Sequence, residues 1–208
     1  SLVEVVLPSS LIKIGHFAFK GCSKLRYIDI PSSVKKIGQY CFKDCKALEE
    51  IEIPQSVIKI GNHAFFNCKS LNNVINDSSI NQIREHTFNG CSLYKDISIP
   101  KMVIKIEKYA FSNCSSVEVI TIPSRVKVIE NNAFHKCTML KEVIFLNPCS
   151  ITSFNKNIFR NSDILQYLSI PQYVNTLEDG WCKGLKNMKN ISISPKNSNF
   201  WCINDNMI

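Results

Sequence analysis

Carboxylate side chains alternate with apolar residues in several short segments, and these acids are the first residues whose spacing could support chemistry. Glu50 and Glu52 flank Ile51, and Asp29 precedes Ile30 in a similar segment. Paired carboxylates act as general acid and base when burial in a cleft shifts their pKa values. The alternation instead predicts that these acids lie on the exposed side of a strand, which offers no cleft. We therefore expect them to face solvent or a binding partner.

Common enzyme motifs are absent from the sequence. It contains no Gly-x-Ser-x-Gly elbow, no glycine-rich phosphate loop and no His-Glu-x-x-His pair. We predict that the protein is not an enzyme, and that it has neither catalytic residues nor a cofactor.

Cysteine is the next reactive residue type, with 10 copies in 208 residues. Neighbouring repeats would bring cysteines within reach of a disulfide. However, their position suits a small buried apolar residue, Leu185 fills it further along the chain, and free cysteine packs like such a residue. We therefore favour reduced core thiols over disulfides. Six cysteines recur every 23 residues, namely Cys22, Cys45, Cys68, Cys91, Cys114 and Cys137.

A metal site is not predicted. The sequence has no Cys-x-x-Cys pair, and Cys41 with Cys45 lacks two further ligands at a suitable spacing. The histidines are expected to form no cluster; they are His16, His63, His86 and His135.

Lysine gives the chain a formal net charge of +8. Such a balance can indicate a nucleic-acid partner, but no aromatic residues interleave with these lysines and arginine is scarce, so we predict no nucleic-acid binding. We read the lysines as a solvated face in preference to an anion-binding site. This lysine stripe consists of Lys13, Lys36, Lys59 and Lys105, with Lys127 one place off.

All of these residues belong to one internal repeat of 23 residues. Apolar residues keep constant distances from one place in the repeat, which we call the anchor. A single unit is too short to bury its apolar side, so stacked units must share a core, as in a solenoid. The Ile-x-Ile alternation before the anchor predicts a short strand that the proline ends, and the later Ala-Phe pair predicts one helical turn or an irregular segment. The anchors are Pro8, Pro31, Pro54, Asp77, Pro100 and Pro123.

The full pattern resembles the BspA-like class of leucine-rich repeats, of which the Ala-Phe-x-x-Cys part is typical. The resemblance implies an α/β-type repeat solenoid, with short parallel strands on the concave face and short helical or irregular turns opposite. It also implies a surface or secreted protein of bacteria or parasitic protists, several of which serve in adhesion. The best example is Leu48-x-x-Ile51-x-Ile53-Pro54-x-x-Val57-x-x-Ile60-Gly61-x-x-Ala64-Phe65-x-x-Cys68.

We assign residues 1–208 to a single domain of this class with about eight repeats. The pattern is irregular at 146–150, where two inserted residues place the anchor at Pro148 and predict a bulge, and again after 194. Asn76 replaces an inward apolar residue, and we expect its amide to be buried and hydrogen-bonded. A start within a repeat favours a fragment of a longer chain, whose exposed ends would promote end-to-end self-association.

The outward positions before the anchor form the predicted binding surface, here called the strand face. Asp29 and Glu52 are expected to be stacked neighbours, a repulsive arrangement that a basic partner would relieve. Acids, aromatic residues and aliphatic residues together suit protein recognition. The strand face comprises Glu4, Tyr27, Asp29, Glu50, Glu52, Asn73, Ile75, Asp96, Val119, Thr121, Glu142 and Tyr167.

The expected partner is a host surface or matrix protein, or a surface protein of another cell. The protein is then a cell-surface or secreted adhesion module, without a transmembrane segment in this stretch. Two alternatives stay open: a cytoplasmic scaffold that uses the same face, and a targeting arm of a larger enzyme.

Overall fold

The computed structural model describes residues 2–76, 78–200, 202–203 and 206–207, and these residues form strands and turns without a helix. Side chains are described for the same residues except 75, 76, 202, 203, 206 and 207. The described part accordingly includes no helix that could cross a membrane.

From the third repeat onward, two short strands occur in each unit, whereas the sequence predicts one. A strand of two to four residues precedes the anchor, and a two-residue strand begins five places after it. The strands are β1 Lys13–Ile14, β2 Lys36–Ile37, β3 Glu50–Ile53, β4 Lys59–Ile60, β5 Asn73–Asn76, β6 Gln82–Ile83, β7 Asp96–Ile97, β8 Lys105–Ile106, β9 Val119–Ile122, β10 Val128–Ile129, β11 Glu142–Phe145, β12 Ser153–Phe154, β13 Tyr167–Ile170, β14 Thr176–Leu177, β15 Asn190–Ile193, β16 Cys202–Ile203 and β17 Asn206–Met207.

Equivalent strands of successive repeats pair in parallel. The strands that precede the anchors form a sheet in the order β15-β13-β11-β9-β7 and a pair β3-β5. The short strands form the sheets β1-β2-β4 and β10-β8-β6 and the pair β12-β14. Only β16 and β17, among the described strands, pair antiparallel. The predicted parallel-strand solenoid is confirmed.

Strand alternation sends one side chain inward and the next outward. In β3, Ile51 and Ile53 are buried while Glu50 and Glu52 are exposed. In β1, β2 and β4 the lysine is exposed and the following isoleucine is buried. The β-branched isoleucines suit a strand whose inner side is packed. Most short strands share this outward–inward pair, which is Lys-Ile in β1, β2, β4 and β8.

The Ala-Phe segments form irregular turns, and the helical alternative is wrong. Two residues in each turn have positive φ, for example His63 at 57° and Asn67 at 60°, a conformation that interrupts a right-handed helix. Alternate turn amides bond to the next repeat, and those between them bond three residues back, so the i−4 bonds of an α-helix are missing. Phe65 N, for instance, donates to the carbonyl oxygen of Thr87 at 2.9 Å.

The core consists of columns that run from repeat to repeat. Phenylalanine rings stack with centroids 5.2 to 5.7 Å apart, and the cysteines lie beside them. Five thiols of the cysteine column, from Cys45 to Cys137, each donate to the carbonyl of the phenylalanine one repeat earlier, as Cys68 Sγ does to Phe42 O at 3.0 Å. Ser162 makes the same bond in a later repeat, to Phe134 O at 3.2 Å. The phenylalanine column is Phe19, Phe42, Phe65, Phe88, Phe111, Phe134 and Phe159.

The irregular places in the sequence change the strand pairing. The two extra residues before Pro148 lie after β11, and the pairing of β11 with β13 stops after two residues, although β11 pairs with β9 over four. The insertion thus coincides with the early end of the β11–β13 pairing, and the predicted bulge stays a prediction. The Asn76 side chain and Asp77 lie outside the described residues, so the expected buried amide stays a prediction.

Candidate functional site

The strand face is exposed along the described part of the chain. Its described side chains are open to solvent, apart from Thr121, which is half-buried. The inner residues of the same strands belong to the core, so the backbone of the face is held from behind.

The five-stranded sheet brings four of the predicted residues into one row. Parallel pairing aligns Asp96 with Val119, Val119 with Glu142, and Glu142 with Tyr167. Paired residues on neighbouring strands are about 5 Å apart, so two carboxylates, an aliphatic side chain and a phenol share one surface. In a second row, Thr121 pairs with Ile144.

A separate pair of strands carries the next part of the strand face. Glu50 aligns with Asn73, and Asn73 Nδ2 donates to Glu50 Oε1 at 2.9 Å. Glu52 aligns with Ile75 through the backbone, while the side chain of Ile75 lies outside the described residues. Glu50 is thus held by an amide, and a partner that binds it must fit around that hydrogen bond.

The N-terminal members of the strand face do not lie on strands. Glu4, Tyr27 and Asp29 are exposed, but the structure assigns no strand to their segments. The expected stacking of Asp29 on Glu52 is therefore wrong as a strand pair, because β3 pairs with β5 alone.

The carboxylate that contacts Tyr27 is Glu49, a residue that the sequence analysis missed. Tyr27 Oη donates to Glu49 Oε2 at 2.9 Å, and Arg26 Nη2 lies 2.8 Å from Glu49 Oε1. The hydrogen bonds from Tyr27 and Arg26 lower the pKa of Glu49, and the Glu49 carboxylate raises the pKa of Tyr27. The 23-residue distance between Arg26 and Glu49 is the signal that could have predicted this contact.

A second cross-repeat ion pair lies beside the five-stranded sheet. Lys141 Nζ is 2.7 Å from Glu118 Oε2, and this hydrogen bond lowers the pKa of Glu118. Both side chains are about half exposed, where such a pair contributes little to stability. It does fix two charges next to Glu142.

The nine cysteines with described side chains are free thiols, and those of the column from Cys45 to Cys137 are buried. Burial raises the pKa of Cys45 and of Cys137 to about 12, so these groups stay protonated at neutral pH. Since the thiolate is the nucleophile and the metal ligand, these protonated thiols contribute to packing. Within the described residues, no group of three His, Cys, Asp or Glu side chains could hold a metal ion.

A partly exposed aromatic column was missed from the sequence. Two histidines that we expected to be unrelated share the place nine residues after the anchor, and the rings of His63 and His86 stack at 4.5 Å. Burial lowers the pKa of both. His86 Nδ1 lies 2.8 Å from Asn89 Nδ2. The five stacked residues are Phe17, Tyr40, His63, His86 and Tyr109.

Comparison with known proteins identifies the repeat. The sequence matches the family model described as BspA type leucine rich repeat region, in six copies, over residues 1–118 and 82–206. The fold is similar to that of a leucine-rich repeat protein of T. pallidum, with 30% identity and a TM-score of 0.72, over 78% of each chain. No curated protein matches the sequence.

Longer proteins of known structure share the fold. One is a leucine-rich repeat protein of Eubacterium ventriosum, with 26% identity and a TM-score of 0.71 over 77% of this chain and 43% of that one. Another, described as a leucine rich cell surface protein of Faecalibacterium prausnitzii, has 23% identity and a TM-score of 0.58, over 95% of this chain and 61% of that one.

Proposed function

We propose, because the chain belongs to the BspA-type leucine-rich repeat family, that it is a protein-binding module that works through its strand face and without catalysis. Stacked repeats present a long surface whose composition varies while the core stays constant. Function then resides in the outward residues, which differ from strand to strand.

The observation that carries the proposal is the exposed row on the five-stranded sheet. Tyr167 is 56% exposed although its strand is buried on the inner side. Glu142 pairs with it on the neighbouring strand, and Val119 follows Glu142 on the next. Tyrosine provides a large contact area at low entropic cost, and neighbouring charges select and steer the partner. We propose that Tyr167 makes the main contact with the partner, and that Glu142 and Asp96 bind basic side chains of the partner.

Adhesion at the cell surface is the finer part of the proposal. The family resemblance supports it, and a structural relative is described as a cell surface protein. The proposed partner is a host surface or matrix protein, or a surface protein of another cell. Its contact surface carries lysine or arginine, because the outward row includes Asp96 and Glu142.

An intracellular scaffold is the second candidate, and the free thiols favour it. Structural disulfides are typical of oxidising compartments, whereas the described cysteines are unpaired. The same strand face would then bind an intracellular protein. Fractionation of the source cells distinguishes the two, since adhesion requires the protein outside the cytoplasm.

The test is binding of the full chain to immobilised extracellular-matrix and cell-surface proteins. Tyr167→Ala and Glu142→Lys should each weaken binding of a captured partner at least tenfold, as expected when an interface anchor is lost or a charge reversed. Tyr173→Ala is the matched control, because Tyr173 is 55% exposed but lies outside the strands. Asp179→Lys is the charge control, since Asp179 is exposed in a turn.

Equal loss of binding in Tyr167→Ala and Tyr173→Ala would show that the strand face is not the site. Absence of any extracellular partner would remove adhesion and leave the scaffold as the remaining function of the face. Circular dichroism of each variant confirms that the fold is intact, which the exposed positions predict.

A further inference from the structure

A basic cavity lies beside the short strands β1, β2 and β4, away from the strand face. It has a volume of about 220 Å³ and is lined by Lys13, Lys36, Lys59 and Arg84 around the backbone of Gly38 and Gly61. His16, Gln39 and Asn62 complete the principal lining. Four cationic side chains therefore surround one small space, which we call the lysine cavity.

The three lysines are held next to one another by the fold. Lys13 pairs with Lys36 and Lys36 with Lys59 on adjacent parallel strands. Like charges in directly paired positions destabilise a sheet. Among the described residues, no carboxylate lies within 4 Å of these three ammonium groups, whereas Lys105 Nζ lies 2.7 Å from Glu130 Oε1. The first three repeats thus lack a counter-charge that a later repeat has.

Later repeats show what occupies the corresponding space. Glu130 contacts Lys105 through Oε1 and accepts the backbone N–H of Lys108 through Oε2 at 3.1 Å. Glu107 Oε2 accepts the N–H of Glu85 at 3.0 Å, and Glu178 Oε2 accepts that of Lys156 at 2.9 Å. In each case a glutamate seven residues after an anchor binds the amide of the preceding repeat. At this place in the repeat, a lysine and a backbone N–H can therefore bind one carboxylate together.

The first repeats replace that glutamate with residues that cannot supply an anion. Gly15, Gly38 and Gly61 take its place, and the backbones approach so closely that a Cβ on Gly61 would lie 2.5 Å from Gln39 N. The next equivalent residue is Arg84, a cation. The N–H of Gln39 bonds to His16 Nδ1, and the N–H of Asn62 has no acceptor among the described residues. The lysine cavity thus has the cations and a donor but lacks the internal carboxylate.

We propose that the lysine cavity binds an external oxyanion, which takes the place that Glu130 fills beside Lys105. The ligand class is a small molecule or glycan substituent with closely spaced carboxylate, sulfate-ester or phosphate-ester groups. Lys36, Lys59 and Arg84 contact its oxygens, and the N–H of Asn62 donates to one of them. Several charges on the ligand are required, because exposed lysines bind single charges weakly and salt screens them.

The experiment is calorimetric titration of the full chain with three multiply charged probes in 50 mM and 150 mM salt. Citrate, sucrose octasulfate and inositol hexakisphosphate represent the three oxyanion types, and the tightest probe identifies the type. Lys36→Gln/Lys59→Gln should weaken binding at least tenfold. Lys46→Gln/Lys69→Gln removes the same charge from exposed lysines outside the cavity and should weaken it less than threefold.

Arg84→Glu is the most specific variant, because it introduces the glutamate that later repeats have at this position. The new carboxylate should accept the N–H of Asn62, contact Lys59 and exclude the probe, while the fold is preserved as it is around Glu107 and Glu130. In NMR spectra of the original chain, the probe should shift the amide of Asn62 more than those of the control lysines. Unchanged binding in Arg84→Glu, equal losses in the two lysine pairs, or no binding of any probe would each overturn the proposal.

Discussion

Replacement of Phe88 by alanine tests whether the phenylalanine column carries the stability of the solenoid. Phe88 is 1% exposed, and its ring stacks on Phe65 at 5.2 Å and on Phe111 at 5.4 Å. Tyr94 contacts the same ring at 5.8 Å. The substitution therefore removes packing from two interfaces between repeats at once.

The expected cost follows from these contacts. Truncation of a buried phenylalanine to alanine costs about 3–5 kcal/mol, a range that already contains much of the lost stacking, since each aromatic pair contributes about 0.5–1.5 kcal/mol. We expect a loss near the upper end, about 4–5 kcal/mol, because rings stack on both faces of Phe88. A domain of ordinary stability has about 5–15 kcal/mol in total, so the variant should be close to unfolding.

The assay is urea denaturation followed by circular dichroism and by intrinsic fluorescence. Two probes are needed because repeat proteins can unfold in parts. Phe17→Ala is the matched control: Phe17 stacks on Tyr40 at a similar 5.1 Å but is 52% exposed, so we expect a loss below about 1 kcal/mol. A loss below about 1.5 kcal/mol in Phe88→Ala, or equal losses in the two variants, would refute the reasoning.

Two further predictions concern the thiols and the histidines. N-ethylmaleimide at pH 7.5, with peptide mapping, should label the exposed Cys182 rapidly, while Cys45 and Cys137 react only on unfolding because burial raises their pKa to about 12; rapid labelling of the folded column would contradict this. Stability should fall as the pH is lowered from 7.5 to 5.5, because burial lowers the pKa of His63, His86 and His135 in the folded state. In the unfolded chain a histidine has its ordinary pKa of about 6.5, so the unfolded state binds more protons as the pH falls through that value. Lys43 further lowers the pKa of His63, whereas Glu85 opposes the shift at His63 and His86. Thermal melts measure this slope, and His63→Tyr/His86→Tyr, which keeps the ring column, should flatten it; an unchanged slope would show that other groups cause it.

The repeat could be predicted from the sequence because several residue types recur with the same period of 23 residues. Proline, phenylalanine and cysteine at fixed spacing predicted the family, the parallel strands and the buried columns. The short strands were missed because Lys59–Ile60 is too brief to display an alternation. The helical turn was predicted wrongly because the identities of His63 and Asn67 do not indicate a positive φ. In addition, their amides bond to the next repeat, which the sequence does not show.

The candidate site was predicted less completely. Alternation identified Glu142 and Tyr167 as outward residues, since period two follows directly from strand geometry. The strand pairing expected between Asp29 and Glu52 is wrong because no strand forms around Asp29. The lysine stripe was read as a solvated face because a run of like charges usually is one. The structure favours an anion-binding site only because the glutamate seven residues after the anchor, such as Glu130, is missing beside these lysines. Gly38, Gly61 and Arg84 take its place.

Bonding between successive repeats also has a consequence for the kinetics of folding. The thiol of Cys68 reaches a carbonyl 26 residues earlier, and Arg26 reaches Glu49 over 23 residues. The chain length that must be closed to form such a contact is the same for every repeat, and its entropic cost grows only with the logarithm of that length. Each folded repeat then serves as the template for the next. The entropic barrier to adding one repeat is accordingly set by the period of the repeat. Further repeats add folding steps but do not raise the barrier of any one step.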